Sequence, residues 1–495
     1  MAKQDSSYSQ IFKATSIFGG VQVFSIIISI VRSKFIAVLL GPAGMGIAGL
    51  LNETVNLIRA ITGFGLNTSA VQSVAAANAT NNQHRIGEVV NVFRKWVWLT
   101  GLLGFMVTLV LAPWLSQLAF GNKNYTLAFV LISVSLLLSQ IGEGQAVILQ
   151  GMRQIKYLAQ AGLAGSVLGL FTSIPLYYFF GQQGIVPAIV VTSATSLILT
   201  WYFAKKVNVQ QVTVSREKAL VEGKTMLTLG FMLSLSGLIA MGASYLVRIF
   251  ISQKGGLVDV GLYNAGLAII NTYVGLIFAA MATDYFPRLA GVAHDNEKAT
   301  NEINQQAEIA LLIMSPILCV FIVYIHWAVI FLYSNKFIAV IEMINWAALG
   351  MFFKSISWAI SFLLLAKGAS KVFFWNELLA NGYILGLNLL GYQYFGLTGL
   401  GISFFAGYIL HTIHLTWVTA RLYQFKFQQN FIWLFLIQFF FVLSCFVTLK
   451  LASGIAAYAI GSVFIVASTI YSFTEINKRV GLKAILVKVQ TRFKK

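Results

Sequence analysis

Long apolar segments separated by short polar breaks run along almost the whole chain. An apolar run of about twenty residues is long enough to cross the hydrocarbon core of a membrane as an α-helix. The pattern predicts about 14 transmembrane helices, which places both termini on the same side of the membrane. Their approximate bounds are 11–39, 43–74, 88–117, 123–150, 155–180, 183–206, 222–252, 257–288, 303–333, 337–366, 370–394, 397–423, 428–449 and 454–475.

Composition agrees with a polytopic membrane protein. Of the 495 residues, 58% are hydrophobic and 10% are charged, whereas a soluble domain has about 25% charged residues. The chain has 42 glycines and six prolines, which is typical of closely packed membrane helices because small residues let backbones approach. We therefore predict an all-α polytopic membrane protein. Its polar N-terminus precedes an apolar run without a convincing cleavage site, so we expect the first helix to be retained.

The positions of the 34 lysines and arginines predict the orientation. With the N-terminus in the cytoplasm, 25 of them fall in cytoplasmic segments and four in outer loops, a strong positive-inside bias. The net charge of +19 is therefore mostly a topology signal and does not indicate a nucleic-acid partner. Residues 476–495 carry apolar residues at helical spacing among seven cations, which favours an amphipathic helix on the anionic inner leaflet over a disordered basic tail.

The longest cytoplasmic break, residues 205–224, separates two sets of six helices and suggests an internal repeat. In the first half, Arg32 precedes Gly46, and in the second half Arg248 precedes Gly261 at a spacing that is shorter by a single position. Because six is an even number, the halves would share one orientation and be related by an axis along the membrane normal. The predicted domains are an N-terminal lobe at 1–206, a cytoplasmic linker at 207–221, a C-terminal lobe at 222–424, two extra helices at 425–475 and the basic tail at 476–495.

Five cations fall inside the predicted helices: Arg32, Lys34, Arg59, Arg248 and Lys354. A cation at the centre of a lipid-exposed helix costs about 2.5–3.5 kcal/mol on insertion scales. Arg32 and Lys34 are two residues apart, about 200° around a helix, so they cannot both face one cavity. We favour Arg32 for the cavity.

The other three cations have structural alternatives. Arg59 pairs with Glu53 or another acid in one interpretation and faces a cavity in the other. Arg248 lies near the outer end of its helix and is able to snorkel to the surface. Lys354 is able to neutralise Glu377 on a neighbouring helix.

Polar stripes predict a cavity wall. Asn52, Asn56 and Arg59 follow steps of four and three along one helix face, and Glu377 and Asn381 form a similar stripe. We therefore predict a polar wall that includes Asn52, Asn56 and Asn381.

Acidic residues within or near the predicted helices are candidates for coupling or gating, because intramembrane carboxylates often serve ion relays. These candidates are Glu53, Asp284 and Glu377, whereas the role of Glu143 is left open. Asp284 is one turn from Arg288, which favours a terminal ion pair. His411 and His414 have no accompanying Cys or carboxylate cluster, and we interpret them as packing residues. We predict no metal and no cofactor.

Five short motifs occur in one order along the chain: "LLGPAGMGIAG" at 39–49, "LAFGNKNY" at 118–125, "QGMRQIKY" at 150–157, "YFPRLA" at 285–290 and "LYSNKF" at 332–337. Together they resemble the Wzx-type flippases of lipid-linked oligosaccharides, or O-antigen translocases. These form the polysaccharide transporter branch of the multidrug/oligosaccharidyl-lipid/polysaccharide exporter superfamily. The resemblance covers about residues 11–424. Many relatives end after twelve helices, whereas this chain is predicted to have two more. Some flippases of lipid-linked peptidoglycan precursors also have two additional helices.

The resemblance implies two six-helix lobes forming a V around a central cavity, lined by cations, that opens alternately to each leaflet. It implies transport of a polyprenyl-diphosphate-linked oligosaccharide, for lipopolysaccharide biosynthesis, across a bacterial inner membrane with both termini cytoplasmic. Membrane lipids and other glycan-assembly membrane proteins are the further partners expected. Coupling to a proton gradient, a sodium gradient or the membrane potential is left open. The alternatives are an ion-coupled exporter of organic cations from the same superfamily, a membrane glycan polymerase or ligase, and a channel.

Overall fold

The fold is described from a computed structural model. The structure describes residues 2–480, and the side chains of residues 24–479 except those of residues 273, 274, 276, 279, 280 and 283. Thirteen α-helices account for most of this part of the chain, which contains no β-strand. They are α1 (Ala2–Gly63), α2 (Leu66–Ala79), α3 (Gln83–Phe120), α4 (Thr126–Gly151), α5 (Ile155–Phe180), α6 (Ile185–Lys205), α7 (Arg216–Ala268), α8 (Leu276–Val292), α9 (Asn296–Leu332), α10 (Ile341–Ala366), α11 (Ser370–Tyr423), α12 (Gln429–Leu451) and α13 (Gly454–Val480).

The predicted all-α, polytopic class is confirmed. Among the described residues, ten helical stretches are long and apolar enough to cross a membrane, and four of these are 40–57 residues long. Each of the four long stretches contains a break. Three breaks are at Gly41, Gly256 and Gly396, and the fourth is the 3₁₀ turn Gly181–Gly184. The predicted helices 1 and 2, 5 and 6, 7 and 8, and 11 and 12 meet at these breaks, and the number of membrane crossings stays a prediction.

The four breaks form two matching pairs. Gly41 has φ 67° and ψ −170°, and Gly256 has φ 81° and ψ −175°. Gly181 has φ 55° and ψ −131°, and Gly396 has φ 57° and ψ −141°. Gly41 and Gly256 are as far apart in the sequence as Gly181 and Gly396 are. Positive φ at these ψ values is accessible essentially to glycine alone, so equivalent glycines set equivalent breaks in the two halves of the chain.

Helix boundaries repeat at the interval that separates the paired glycines. The starts of α4 and α10 are separated by this interval, as are those of α5 and α11. The turn before α5 is closed by a bond from Gln154 N–H to the Leu149 carbonyl at 2.8 Å, and the turn before α11 by the equivalent bond from Ala369 to Leu364 at 3.0 Å. The halves thus repeat one arrangement of helices, turns and breaks, as the arginine and glycine spacing suggested.

The chain forms two compact units, Met1–Gly261 with Leu332–Ser334, and Leu262–Phe331 with Asn335–Lys495. The first unit continues beyond the predicted linker and includes most of α7. Residues of that linker lie against α3: Trp96 Nε1–H donates to the Ala219 carbonyl at 2.9 Å, and Asn91 donates to the Val212 carbonyl. The predicted domain boundaries follow the sequence repeat and stay a prediction.

The second unit contains the two extra helices. Gln438 of α12 donates to Ser472 Oγ of α13 at 2.7 Å and accepts from Ser468 Oγ at 2.8 Å. Helix α13 also contacts α9, because Arg479 Nε donates to Glu308 Oε2 at 2.8 Å. Most of the predicted basic tail, residues 481–495, lies outside the described residues.

Two glycines bring the first and second halves together within the first unit. A Cβ atom added at Gly46 would lie 2.0 Å from the Leu257 carbonyl oxygen, and one at Gly261 would lie 1.8 Å from the Pro42 carbonyl oxygen. Pro42 and Leu257 each follow a break glycine. The contact is therefore reciprocal, and any side chain larger than hydrogen would force these segments apart.

We predict that Gly261→Leu destabilises the first unit and that Gly242→Leu on the same helix does not. A Cβ at Gly242 would meet nothing within 4 Å. Overpacking a close contact costs about 1–3 kcal/mol, so the melting temperature should fall by roughly 3 °C or more. The measurement is thermal unfolding of the detergent-purified variants. Equal melting temperatures for both variants would contradict the close approach.

Candidate functional site

Arg59 of α1 is bonded to a carboxylate of α4. Its Nη1 donates to Glu143 Oε1, and its Nη2 donates to Asn56 Oδ1 at 3.2 Å. Asn67 Nδ2 donates to the second carboxylate oxygen of Glu143 at 3.0 Å. Two cavities of about 210 and 260 Å³ adjoin this group. Arg59 thus pairs with an acid, as one interpretation of the sequence held, and the acid is Glu143 rather than Glu53.

Glu53 is instead the partner of Arg248. The Arg248 Nη2 to Glu53 Oε1 distance is 3.3 Å, and the Arg248 side chain is only 8% exposed. Its Nη1 also donates to the Ser244 carbonyl at 3.0 Å. A hydrogen bond of 2.7 Å between Thr54 and Tyr245 joins the same two helices. The Arg248 guanidinium is therefore buried and faces a partly buried carboxylate, rather than extending to the surface.

Arg32 lines a different cavity, of about 300 Å³, that also contains Asn52, Thr192 and Ser193. Its Nη2 donates to Thr192 Oγ1 at 3.4 Å. No ion pair involves Arg32 in the described part of the chain. Lys34 is half-buried and is not among the described residues that line this cavity. The structure thus brings together Arg32 and Asn52, two of the predicted site residues.

Lys354 of α10, in the second unit, is surrounded by an amide and aromatic rings. Its Nζ donates to Asn271 Oδ1 at 3.3 Å. The same atom lies 5.2 Å from the ring centroid of Tyr408 and 5.8 Å from that of Phe404. Within the described residues, no carboxylate lies within 4.0 Å of Lys354. The described residues therefore contain no ion pair between Lys354 and Glu377.

Polar side chains with unused hydrogen-bonding groups lie near Lys354. Both ring nitrogens of His411 are buried and, among the described residues, have no hydrogen-bond partner; the same is true of His414 Nδ1 and Tyr383 Oη. The His411 ring is 6.1 Å from Tyr408, and the His414 ring is 6.2 Å from Tyr383. Buried polar groups are costly when they are left unpaired. This arrangement is therefore suited to hydrogen-bond a polar ligand.

Sequence reasoning interpreted the two histidines as packing residues. Their spacing of three indicates one helix face, but the nearness of Lys354, which lies on the preceding helix, has no signal in the sequence. Among the described residues, no group of three or more His, Cys, Asp or Glu side chains is placed to hold a metal ion.

The sites of the two halves are related by the internal repeat. Asn56 and Asn271 are separated by the same interval as the paired break glycines. Each accepts a hydrogen bond from a cation: Arg59 in the first half and Lys354 in the second. In the first half, Glu143 also neutralises the cation, whereas in the second half no described carboxylate does so. Of these two cations, Lys354 therefore keeps its positive charge available to an anion, whereas Arg59 does not.

The remaining predicted residues have local partners. Asp284 is 76% exposed and pairs with Arg288, whose Nε lies 2.8 Å from Asp284 Oδ2. Arg288 also pairs with Glu302 at 2.7 Å, which agrees with the terminal ion pair favoured from the sequence. Asn381 Nδ2 donates to the Glu377 carbonyl one turn earlier, at 2.8 Å.

These helices define an all-α, polytopic membrane protein. A family model described as "Polysaccharide biosynthesis protein" matches residues 35–342, more than half of the chain. The chain therefore belongs to this polysaccharide biosynthesis protein family. The resemblance to Wzx-type flippases drawn from the short motifs is confirmed.

Curated relatives and solved structures agree with that class. The chain is 21% identical over 352 residues to the lipid III flippase of Escherichia coli (strain K12), covering 70% of this chain and 82% of the relative. It is 22% identical over 403 residues to a Shigella flexneri protein named "Putative O-antigen transporter", covering 80% and 94%. The structure of the lipid II flippase MurJ, in an inward closed conformation, superposes with a TM-score of 0.72 at 12% identity, covering 94% of this chain and 99% of that one. The prediction of a transporter rather than an enzyme is confirmed.

We predict energetic coupling between Arg59 and Glu143. In a double-mutant cycle of Arg59→Gln and Glu143→Gln, the free energies of unfolding should be non-additive by about 0.5–1 kcal/mol, because the pair is only partly buried. A cycle of Arg32→Gln with Glu143→Gln is the control and should be additive. Additivity in both cycles, measured by denaturant or thermal unfolding, would show that the Arg59–Glu143 bond contributes nothing.

Proposed function

We propose that this protein is a flippase that moves a polyprenyl-diphosphate-linked oligosaccharide, of the O-antigen repeat-unit type, from the cytoplasmic to the periplasmic leaflet by alternating access. The observation that carries the proposal is the environment of Lys354. Its ammonium contacts an amide oxygen and lies over aromatic rings, and no described carboxylate neutralises it. A cation kept in this state within a helix bundle is suited to receive an anion from outside the chain.

The diphosphate is the part of such a substrate that most needs protein. It carries about two negative charges and does not cross hydrocarbon unaided, because burying an isolated charge in an apolar medium is very costly. In our proposal, Arg32 offsets this cost in the first unit and Lys354 does so in the second. Arg59 and Arg248 have carboxylate partners, so their net contribution to an anion is small, and we assign them to positioning the helices.

The sugars and the lipid have different requirements. Sugars need hydrogen-bonding walls, which Asn52, Thr192 and Ser193 supply around Arg32, and the histidines supply near Lys354. The polyprenyl chain needs only an opening between helices, through which it remains in the bilayer.

The relatives support this substrate class, since one is named a lipid III flippase and another an O-antigen transporter. The proposed location is a bacterial inner membrane, with both termini cytoplasmic. The proposed driving force is a proton gradient, a sodium gradient or the membrane potential, and the further proposed partners are membrane lipids and other glycan-assembly membrane proteins.

The test is complementation of cells that lack the protein. Lys354→Gln and Arg32→Gln should each lower transport by about tenfold or more, because a hydrogen bond to a charged group contributes about 1.5–3 kcal/mol. Lys354→Arg should retain most activity. Lys336→Gln is the control, since it removes an exposed cation outside the long helices. The readout is mass spectrometry of polyprenyl-diphosphate glycans in lipid extracts, normalised to membrane abundance of each variant.

Accumulation of one completed glycan unit in the deletion strain and in both Gln variants supports the proposal. Normal transport in both variants at normal abundance would overturn the assignment of these cations. Absence of glycan accumulation in the deletion strain, with a new sensitivity to cationic compounds, would instead favour an exporter of organic cations.

A further inference from the structure

A basic cavity of about 540 Å³ lies at the end of α6 in the first unit. Its charged lining residues are Arg94 of α3 with Lys205 and Lys206, and its aromatic walls are Trp98 and Trp201. Among the described residues, its lining contains three cations and no carboxylate. It shares no lining residue with the cavities around Arg32 and Arg59, so the inference below does not rest on the proposed function.

Aromatic rings, rather than acids, hold the two lysines in place. Lys205 Nζ lies 3.6 Å from the ring centroid of Trp201, one helical turn earlier, and Lys206 Nζ lies 4.4 Å from that of Tyr202. A cation–π contact orients an ammonium without cancelling its charge. In the described part of the chain, neither lysine forms an ion pair, and neither does Arg94. All three charges are therefore available to one anionic ligand.

The segment that follows α6 also lines the cavity, and this segment is fixed in place. Val207 and Val209 pack against the hydrophobic core of the first unit, and Asn91 of α3 donates to the Val212 carbonyl. The cavity is therefore preformed. Its lining also includes Gln145, whose Oε1 is buried and has no hydrogen-bond partner among the described residues. An amide oxygen of this kind is suited to accept from a hydroxyl group of a ligand.

We propose that this cavity binds the head group of an anionic phospholipid. Lysine and arginine clusters next to a membrane attract anionic lipids, and tryptophan is the residue typical of the membrane–water interface. The predicted orientation places the end of α6 at the cytoplasmic surface, where a lipid phosphate reaches the three cations while its acyl chains remain in the bilayer. Phosphatidylglycerol fits this site best, since its phosphate meets the cations and its glycerol hydroxyls meet Gln145.

The experiment titrates phosphatidylglycerol and, in a parallel series, a polyprenyl diphosphate against the full-length protein by native mass spectrometry. The test variant is Arg94→Gln/Lys205→Gln/Lys206→Gln. The control is Lys123→Gln/Lys254→Gln/Lys336→Gln, which removes the same charge from exposed residues of the predicted outer loops. A charge-preserving variant, Arg94→Lys/Lys205→Arg/Lys206→Arg, separates loss of charge from loss of folding.

The test variant should bind phosphatidylglycerol more weakly by on the order of 100-fold, as three interfacial cations are removed. The control and the charge-preserving variant should bind like the wild type, and millimolar inorganic phosphate should not displace the lipid. An equal loss in the control would overturn the site. Displacement by inorganic phosphate would show a free-anion site, and a loss confined to polyprenyl diphosphate would show a substrate site, so either result would overturn the phospholipid assignment.

Discussion

A charge placed among apolar helices must have a partner or receive one, and this constraint organises the molecule. Arg59 and Arg248 have partners within the chain, because they form ion pairs with Glu143 and Glu53, respectively. Lys354 has an amide oxygen and aromatic rings instead. An amide and a ring stabilise an ammonium but do not cancel its charge. The second arrangement is therefore the one expected of a binding group, whereas the ion pairs contribute to the positioning of their helices.

The internal repeat shows how one scaffold supports both arrangements. Asn56 and Asn271 occupy equivalent positions and accept from Arg59 and Lys354. Among the described residues, only the first half adds a carboxylate to this arrangement. The same break glycines recur at the same spacing in both halves. Keeping the breaks while changing the charged side chains preserves the fold and gives the halves different electrostatic roles.

Much of this fold could be predicted from the sequence, because its signals are local. A run of apolar residues predicts a membrane helix, and Gly46 and Gly261 already suggested the repeat. The partners of the charged residues could not be predicted. Glu143 is 84 residues from Arg59 along the chain, and the helix periodicity that groups Asn56 with Arg59 carries no information on which neighbouring helix packs against them. For the same reason, the sequence could not predict that His411 lies near Lys354.

The central claim is that the unpaired cations bind a diphosphate and the paired ones do not. The most direct measurement is the affinity of purified protein in nanodiscs for a polyprenyl diphosphate. Lys354→Gln should weaken binding by about tenfold or more, because one charged hydrogen bond is lost. The double variant Arg59→Gln/Glu143→Gln removes a cation together with its acid and should bind like the wild type. Equal affinity for Lys354→Gln and wild type, with weakened binding by the double variant, would contradict this account.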